Sequence, residues 1–219
     1  VPTTIKDTTN VKGWPTRYGS HSTEDSPFAE DAAVADRFRS AGMVFLGKST
    51  TPEYGWKALT DSPLQGTTRS PWNLKHSPGG SSGGASSLSA AGVCPFNHGN
   101  DGGGSLRIPA ACCGLFALRP SRGRVSSGPA IGEVWFGASS EGVLSRSVRD
   151  SARFFTGMAR SKRPFDATTT RSLTSRNTGF DAFRYEPNAH DPAAPRAAIS
   201  ATVERFGRID ILVNNVAIN

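Results

Sequence analysis

The stretch from Ser77 to Pro120, SPGGSSGGASSLSAAGVCPFNHGNDGGGSLRIPAACCGLFALRP, constrains this chain more than any other. It holds two glycine-flanked serines, Ser82 in GGSSGGA and Ser105 in DGGGSLRIP. Glycine runs allow positive φ and close approach of the backbone to a ligand, so a serine inside one is expected to face the loop's contents. A flexible Gly/Ser linker is the bland alternative. The second run, however, leads straight into SLRIPAACCGLFAL, which has core character. A linker does not do that.

The rest of the chain reads as alternating helices and short apolar strands, which is the pattern of an α/β core. PTTI at residues 2–5 is a short strand that delivers Lys6 at its end. Ala33, Val34, Phe38 and Ala41 follow helical spacing and Gly42 supplies a stop, after which Met43 to Leu46 reads as a buried strand. Residues 51–73 are irregular, with a helical turn near Pro52. Ala85 to Ala91 is a small-residue helix starting at Gly83–Gly84, which would set Ser82 among free N–H groups at the positive dipole end. Val93 to Phe96 and Leu115 to Leu118 are strand candidates, and Ser105 opens a short helical segment. Ser147 with Asp150 forms a capping box ahead of a helix carrying Val148, Ala152, Phe155 and Ala159.

Residues 161–190 are Thr/Ser/Arg-rich, short of aliphatics and aperiodic, and read as a linker. Beyond it, Asp191-Pro192 caps a second helix with Ile199, Val203 and Phe206 on one face, followed by the strand Ile209 to Val213.

Charge and cysteine content exclude more than they propose. The net charge of +7 includes a basic cluster from Arg146 to Arg176, but that cluster lacks interleaved aromatics and any nucleic-acid reader motif, so no nucleic-acid partner is expected. No run of 18 apolar residues occurs, so no membrane span is expected. Cys94, Cys112 and Cys113 lie in apolar company without metal-ligand spacing. They are expected to be buried reduced thiols in a cytoplasmic protein, with no metal and no cofactor. The opening VPTTIKD has no secretory-signal pattern.

Serine needs a base. His21, His76, His98, His190, Lys6 and the carboxylates are the candidates. GGSSGG contains G-x-S-x-G around Ser82, but the nucleophile elbow of an α/β-hydrolase needs an apolar strand before it, and WNLKHSP is not one. A Ser–Ser–Lys arrangement fits better. A lysine desolvated in a core loses its preference for charge and its neutral amine can act as a base. A bridging serine can relay the proton, and the N–H groups of a Gly-Gly-Gly-Ser turn can converge as an oxyanion hole. Composition and spacing alone do not show that Lys6, Ser82 and Ser105 meet.

VPTTIKDTTNVKGWPTRYGS, LGKSTTPEYGWKALTDSPLQGTTRSPWN, SPGGSSGGAS and GNDGGGSLRIPAACCGLFALRPSRGRV occur in this order. Together they resemble the amidase signature family of serine amidohydrolases, over about residues 1–160. GVLSRSVRDSARFF is similar to the helix after that family's core. The resemblance implies an α/β fold: a partial amidase-signature core with a mixed sheet flanked by helices, here followed by a short C-terminal helix-strand unit. It implies a Ser–cisSer–Lys triad with Ser105 as acyl-forming nucleophile, Ser82 as bridging serine after a cis peptide, and Lys6 as base. The oxyanion hole falls on Gly102, Gly103 and Gly104 with the N–H of Ser105, and Ser81, Asp101 and Arg107 support the site. Asn100 stands where the family usually has threonine. The implied reaction is hydrolysis of a small linear amide through an acyl-enzyme. The alternatives are a glutaminase resembling the ammonia-transferring component of a tRNA amidotransferase, and a catalytically dead fragment.

Residues 191–219, ending in Asn214-Asn215-Val216-Ala217, resemble the helix and strand of a short-chain dehydrogenase. They lack that family's glycine motif and any Tyr-x-x-x-Lys, so they supply no dehydrogenase chemistry. The expected organisation is an incomplete amidase core over 1–160, a linker over 161–190 and a dehydrogenase-like piece over 191–219. A truncated or chimeric reading frame would explain it.

Overall fold

The structure is a computed structural model and describes residues 1–127, 134–135 and 137–159, together with Ser200 and Glu204. The expected linker and C-terminal helix-strand unit therefore lie outside the described residues. The elements run β1 (Pro2–Lys6), α1 (Ala33–Ser40), β2 (Val44–Ser49), β3 (Asp61–Ser62), β4 (Gly66–Thr67), α2 (Gly83–Ala90), β5 (Phe96–Asp101), α3 (Arg107–Cys113), β6 (Phe116–Ala117), β7 (Ser140–Ser145) and α4 (Val148–Ala159). A single 3-10 turn, Glu53–Gly55, follows Pro52, where a helical turn is expected.

β1 and β2 pair in parallel, β3 and β4 form a two-residue antiparallel hairpin, and β7 lies between β5 and β6 in an antiparallel sheet. Side chains rather than a backbone ladder join β1 to β5. The Thr4 N–H donates to Asn97 Oδ1 at 3.1 Å and the Lys6 N–H donates to His98 Nδ1 at 3.2 Å. Thr3 Oγ1 adds a bond to the Phe96 carbonyl. Buried N–H groups must be satisfied, and these polar side chains do it where the strands' own carbonyls do not.

Successive residues of a strand face opposite sides, and β7 uses this to divide the core. Val143 belongs to a cluster with Phe38 of α1, Phe96 of β5 and Phe154, Phe155 and Met158 of α4. Its neighbour Leu144 belongs to a second cluster with Ala85 and Ala90 of α2, Ala110 and Cys113 of α3, and Leu106. Edge-to-face contacts order the aromatic side: Phe38 meets Phe154 at 5.3 Å and Phe154 meets Phe155 at 4.8 Å. The α2 side is built from alanine and small residues, which lets α2 and α3 come close to the sheet.

Local signals set most of the boundaries. Gly42, at φ +74°, ends α1, and Gly114, at φ +66°, ends α3, both in the left-handed region that glycine enters freely. Ser147 caps α4 with one half of the expected capping box, the Asp150 N–H donating to Ser147 Oγ at 3.2 Å, while the Ser147 hydroxyl donates to Asp150 Oδ2 at 2.7 Å. Pro109 sits in the first turn of α3, where its missing N–H has no intrahelical role.

Three expectations need correction. The strand placed at Val93–Phe96 begins only at Phe96 and continues to Asp101, because buried N–H groups of β1 donate to the polar side chains of Asn97 and His98. Val44 and Leu46 are exposed rather than buried, since β2 has one strand beside it and an open face. Cys112 is also exposed, while Cys94 and Cys113 are buried, and all three are free thiols.

Candidate active site

Lys6 closes β1 and is fully buried, 1% exposed. Its Nζ lies 2.7 Å from Ser81 Oγ and 2.6 Å from Asn100 Oδ1. Burial lowers its pKa from 10.5 to about 7, with the charges of Glu141 and Asp101 pulling the other way. The amine is thus balanced between its charged and neutral forms near neutral pH.

The serine beside Lys6 is Ser81, not Ser82. The cis peptide also precedes Ser81, joining it to Gly80. Ser82 turns away: it is the N-cap of α2, is fully buried, and its hydroxyl donates to the Asn100 carbonyl at 3.3 Å. The contact with Lys6 and the cis peptide, both expected at Ser82, are found one residue earlier. In GGSSGG the two serines have near-identical neighbours, and only the direction of the chain entering α2 separates them.

Contact explains the glycines on either side better than backbone freedom does. A Cβ on Gly84 would lie 2.4 Å from the Thr50 backbone nitrogen, and one on Gly80 would lie 2.7 Å from the Leu59 carbonyl oxygen. A side chain at either position would push the serines off β1. The same packing removes the free N–H groups expected at the start of α2, since the Gly83 N–H donates to Thr60 Oγ1 and the Gly84 N–H to the Thr50 carbonyl.

The second glycine run crosses the first. The Ser82 N–H donates to the Ser105 carbonyl at 3.2 Å, which fixes the backbone of the two serine segments against each other. Ser105 itself is half-buried. Asp101 organises the turn that presents it. One carboxylate oxygen accepts the Gly104 N–H at 2.7 Å and the other accepts the Leu106 and Arg107 N–H groups. Arg107 grips the same carboxylate through Nε and Nη2, both at 2.9 Å. Burial alone would raise the Asp101 pKa, but Arg107 and the backbone donors outweigh it and hold the carboxyl below its usual range. Asp101 and Arg107 therefore brace the loop. The Gly104 N–H is occupied by Asp101, which removes it from the expected oxyanion set, while Gly103 opens onto free space.

Of the candidate bases, His21 and His76 are exposed and His190 lies outside the described residues. His98 is buried, but its Nδ1 faces the Lys6 backbone and its Nε2 lies 2.8 Å from Glu141 Oε2. A second, half-buried lysine, Lys48, donates to the Thr9 carbonyl and Thr16 Oγ1 and lies 3.5 Å from Asp7. Burial lowers it to about 8, against the pull of Asp7. It ties the loop after β1 to β2. Sequence reasoning did not single out Glu141, Lys48, or Asn100 as a ligand of Lys6, because their partners are distant in the chain. It also missed Trp135, whose ring lies against Gly102 and stacks on Trp56 at 4.9 Å. Among the described residues no His/Cys/Asp/Glu group could hold a metal ion, and no helix is long and apolar enough to cross a membrane.

The fold around this buried lysine-serine contact has its counterpart in known proteins. The amidase family model matches residues 1–192, and the chain belongs to that family. That match runs past the boundary expected at 160 and across the whole of the expected linker. Among curated relatives, AmiC of Mycobacterium tuberculosis, named as an amidase, is 44% identical over 155 residues, covering 71% of this chain and 33% of AmiC. The 6-aminohexanoate-cyclic-dimer hydrolase of Paenarthrobacter ureafaciens is 50% identical over 124 residues, covering 56% of this chain and 25% of the hydrolase. A solved 6-aminohexanoate cyclic dimer hydrolase superposes with a TM-score of 0.69 at 42% identity, over 76% of this chain and 35% of that one. The corresponding component of the glutamyl-tRNA(Gln) amidotransferase of Thermotoga maritima gives 0.67 at 32% identity, over 77% and 37%. The chain thus spans about a third of the length of such relatives.

Proposed function

We propose that this chain carries the catalytic core of a hydrolase that cleaves the C–N bond of small amides. The contact between Lys6 Nζ and Ser81 Oγ, 2.7 Å long and wholly buried, carries the reading. Neutral Lys6 takes the proton of Ser81 as Ser81 takes that of Ser105. Ser105 Oγ then bonds to the amide carbonyl carbon, and the developing oxyanion is met by the N–H groups of Gly102, Gly103 and Ser105. The proton returns through Ser81 to the leaving nitrogen, the C–N bond breaks, and ammonia or an amine departs from an acyl-Ser105. Water, deprotonated along the same route, releases the acid. Serine is activated here by an amine whose pKa sits near the working pH, where a general base is most effective.

Membership of the amidase family and relatives named as amidases and hydrolases support this reading. A glutaminase role is the second reading, favoured by the likeness to the glutamyl-tRNA(Gln) amidotransferase component. Glutamine hydrolysis assayed with and without added amidotransferase partners separates the two. Residues 191–219 are proposed to be a foreign, dehydrogenase-like piece with no part in the chemistry, and long-read sequencing across the junction tests that. The hydrolase reading is tested by a fluorophosphonate probe, which should add one phosphonyl group to the wild-type chain and none to Ser105→Ala. An unlabelled wild type, or a labelled Ser105→Ala, would overturn it.

A further inference from the structure

We propose that His98 and Glu141 are positioning residues for Lys6: Glu141 locks the tautomer of His98 that holds the Lys6 backbone, and its carboxylate sets the charge balance of the Lys6 amine. The proposal rests on Lys6 being the base of the reading above.

The geometry fixes the protons. The Lys6 backbone N–H can only donate, so His98 Nδ1, 3.2 Å away, must accept and carries no proton. The ring proton therefore sits on Nε2 and points at Glu141 Oε2, 2.8 Å away. A buried imidazole has two tautomers, and the bond at one nitrogen selects the state of the other. Phe38 packs edge-on against the ring at 5.8 Å. Strand register completes the arrangement. His98 is opposite Val143 and Asn100 is opposite Glu141, so β7 sets Glu141 beside the β5 residues that hold both ends of Lys6. His98 holds the Lys6 backbone and Asn100 holds its amine.

Glu141 and Asp101 are the charges that act on the Lys6 amine against its burial. Asp101 is matched by Arg107, and Asp7 faces Lys48. Glu141 is bonded to a neutral imidazole, so its negative charge is not cancelled there. It is also the foremost of the charges that oppose the burial of the amine. Removing it should leave the neutral amine favoured over a wider range of pH.

The test is the titration of Lys6, read from its Cε shift in 13C-lysine-labelled protein and assigned by the loss of that signal in Lys6→Met. Glu141→Gln keeps an acceptor for His98 and removes only the charge, so the Lys6 midpoint should fall by about one pH unit. The acid limb of fluorophosphonate labelling should fall with it. His98→Asn places an oxygen three bonds from Cα, as Nδ1 is, and should retain more labelling than His98→Leu by about tenfold or more. A Lys6 midpoint unchanged in Glu141→Gln, or a His98→Leu chain labelled at the wild-type rate, would overturn the proposal. A wild-type chain that takes no label counts against the amidase reading, while the titration, which needs no turnover, still decides the role of the pair.

Discussion

At Lys6 the stability of the fold and the proposed chemistry oppose each other. In the unfolded chain its pKa is near 10.5, and in the fold burial lowers it to about 7. Between those values the unfolded chain binds more protons than the folded one, so stability rises with pH across that window. Below about pH 7 the fold must bury an ammonium and the penalty is fully present. The slope from this one group reaches about 1.4 kcal/mol per pH unit. Lys6→Met removes the titration, so its stability relative to wild type should be highest near pH 6 and should shrink steadily towards pH 10. Denaturant melts of both proteins at several pH values would show it, and parallel pH profiles would contradict it.

At the scale of elements, α4 shows what a local signal achieves. Ser147 closes the helix by bonding the Asp150 N–H, and a neutral truncation removes that bond. Ser147→Ala should cost about 1 kcal/mol of unfolding free energy, measured by denaturant titration. This helix was legible because its cap and apolar spacing lie in one continuous stretch, Ser147 to Ala159. So were β1, α1 and α2, whereas the place of Asp101 and Arg107 beside the second glycine run was implied only by the family resemblance. Most of β5 was not legible. Beyond Phe96 the strand was not read, because the strand character of NHGND comes from β1, β7 and the partners of Asn97 and His98, all remote in sequence. The same reason hid Glu141, which acquires meaning only from its register with Asn100. The choice between Ser81 and Ser82 was hidden differently. The family motif fixes a pair of serines, and the contact with Lys6 is decided by how Gly80 and Gly84 press against residues 50–59.

At the scale of the whole molecule, two glycine runs and one strand end meet between the helices α2 and α3 and the strands β1 and β5. Each brings one group of the proposed reaction: Lys6 from β1, Ser81 from the turn before α2, Ser105 from the turn before α3. The sheet behind them supplies the charges that poise the amine. The claim on which all of this depends is that Ser81, rather than Ser82, connects Lys6 to Ser105. Second-order rate constants for fluorophosphonate labelling of Ser105, compared among wild type, Ser81→Ala and Ser82→Ala, test it most directly. Loss of a proton relay is worth roughly 10²-fold or more, whereas the Ser82 side chain contributes one part-buried hydrogen bond. Ser81→Ala should therefore label about a hundredfold more slowly and Ser82→Ala within about tenfold of wild type; the reverse order, or no loss in Ser81→Ala, would contradict the assignment.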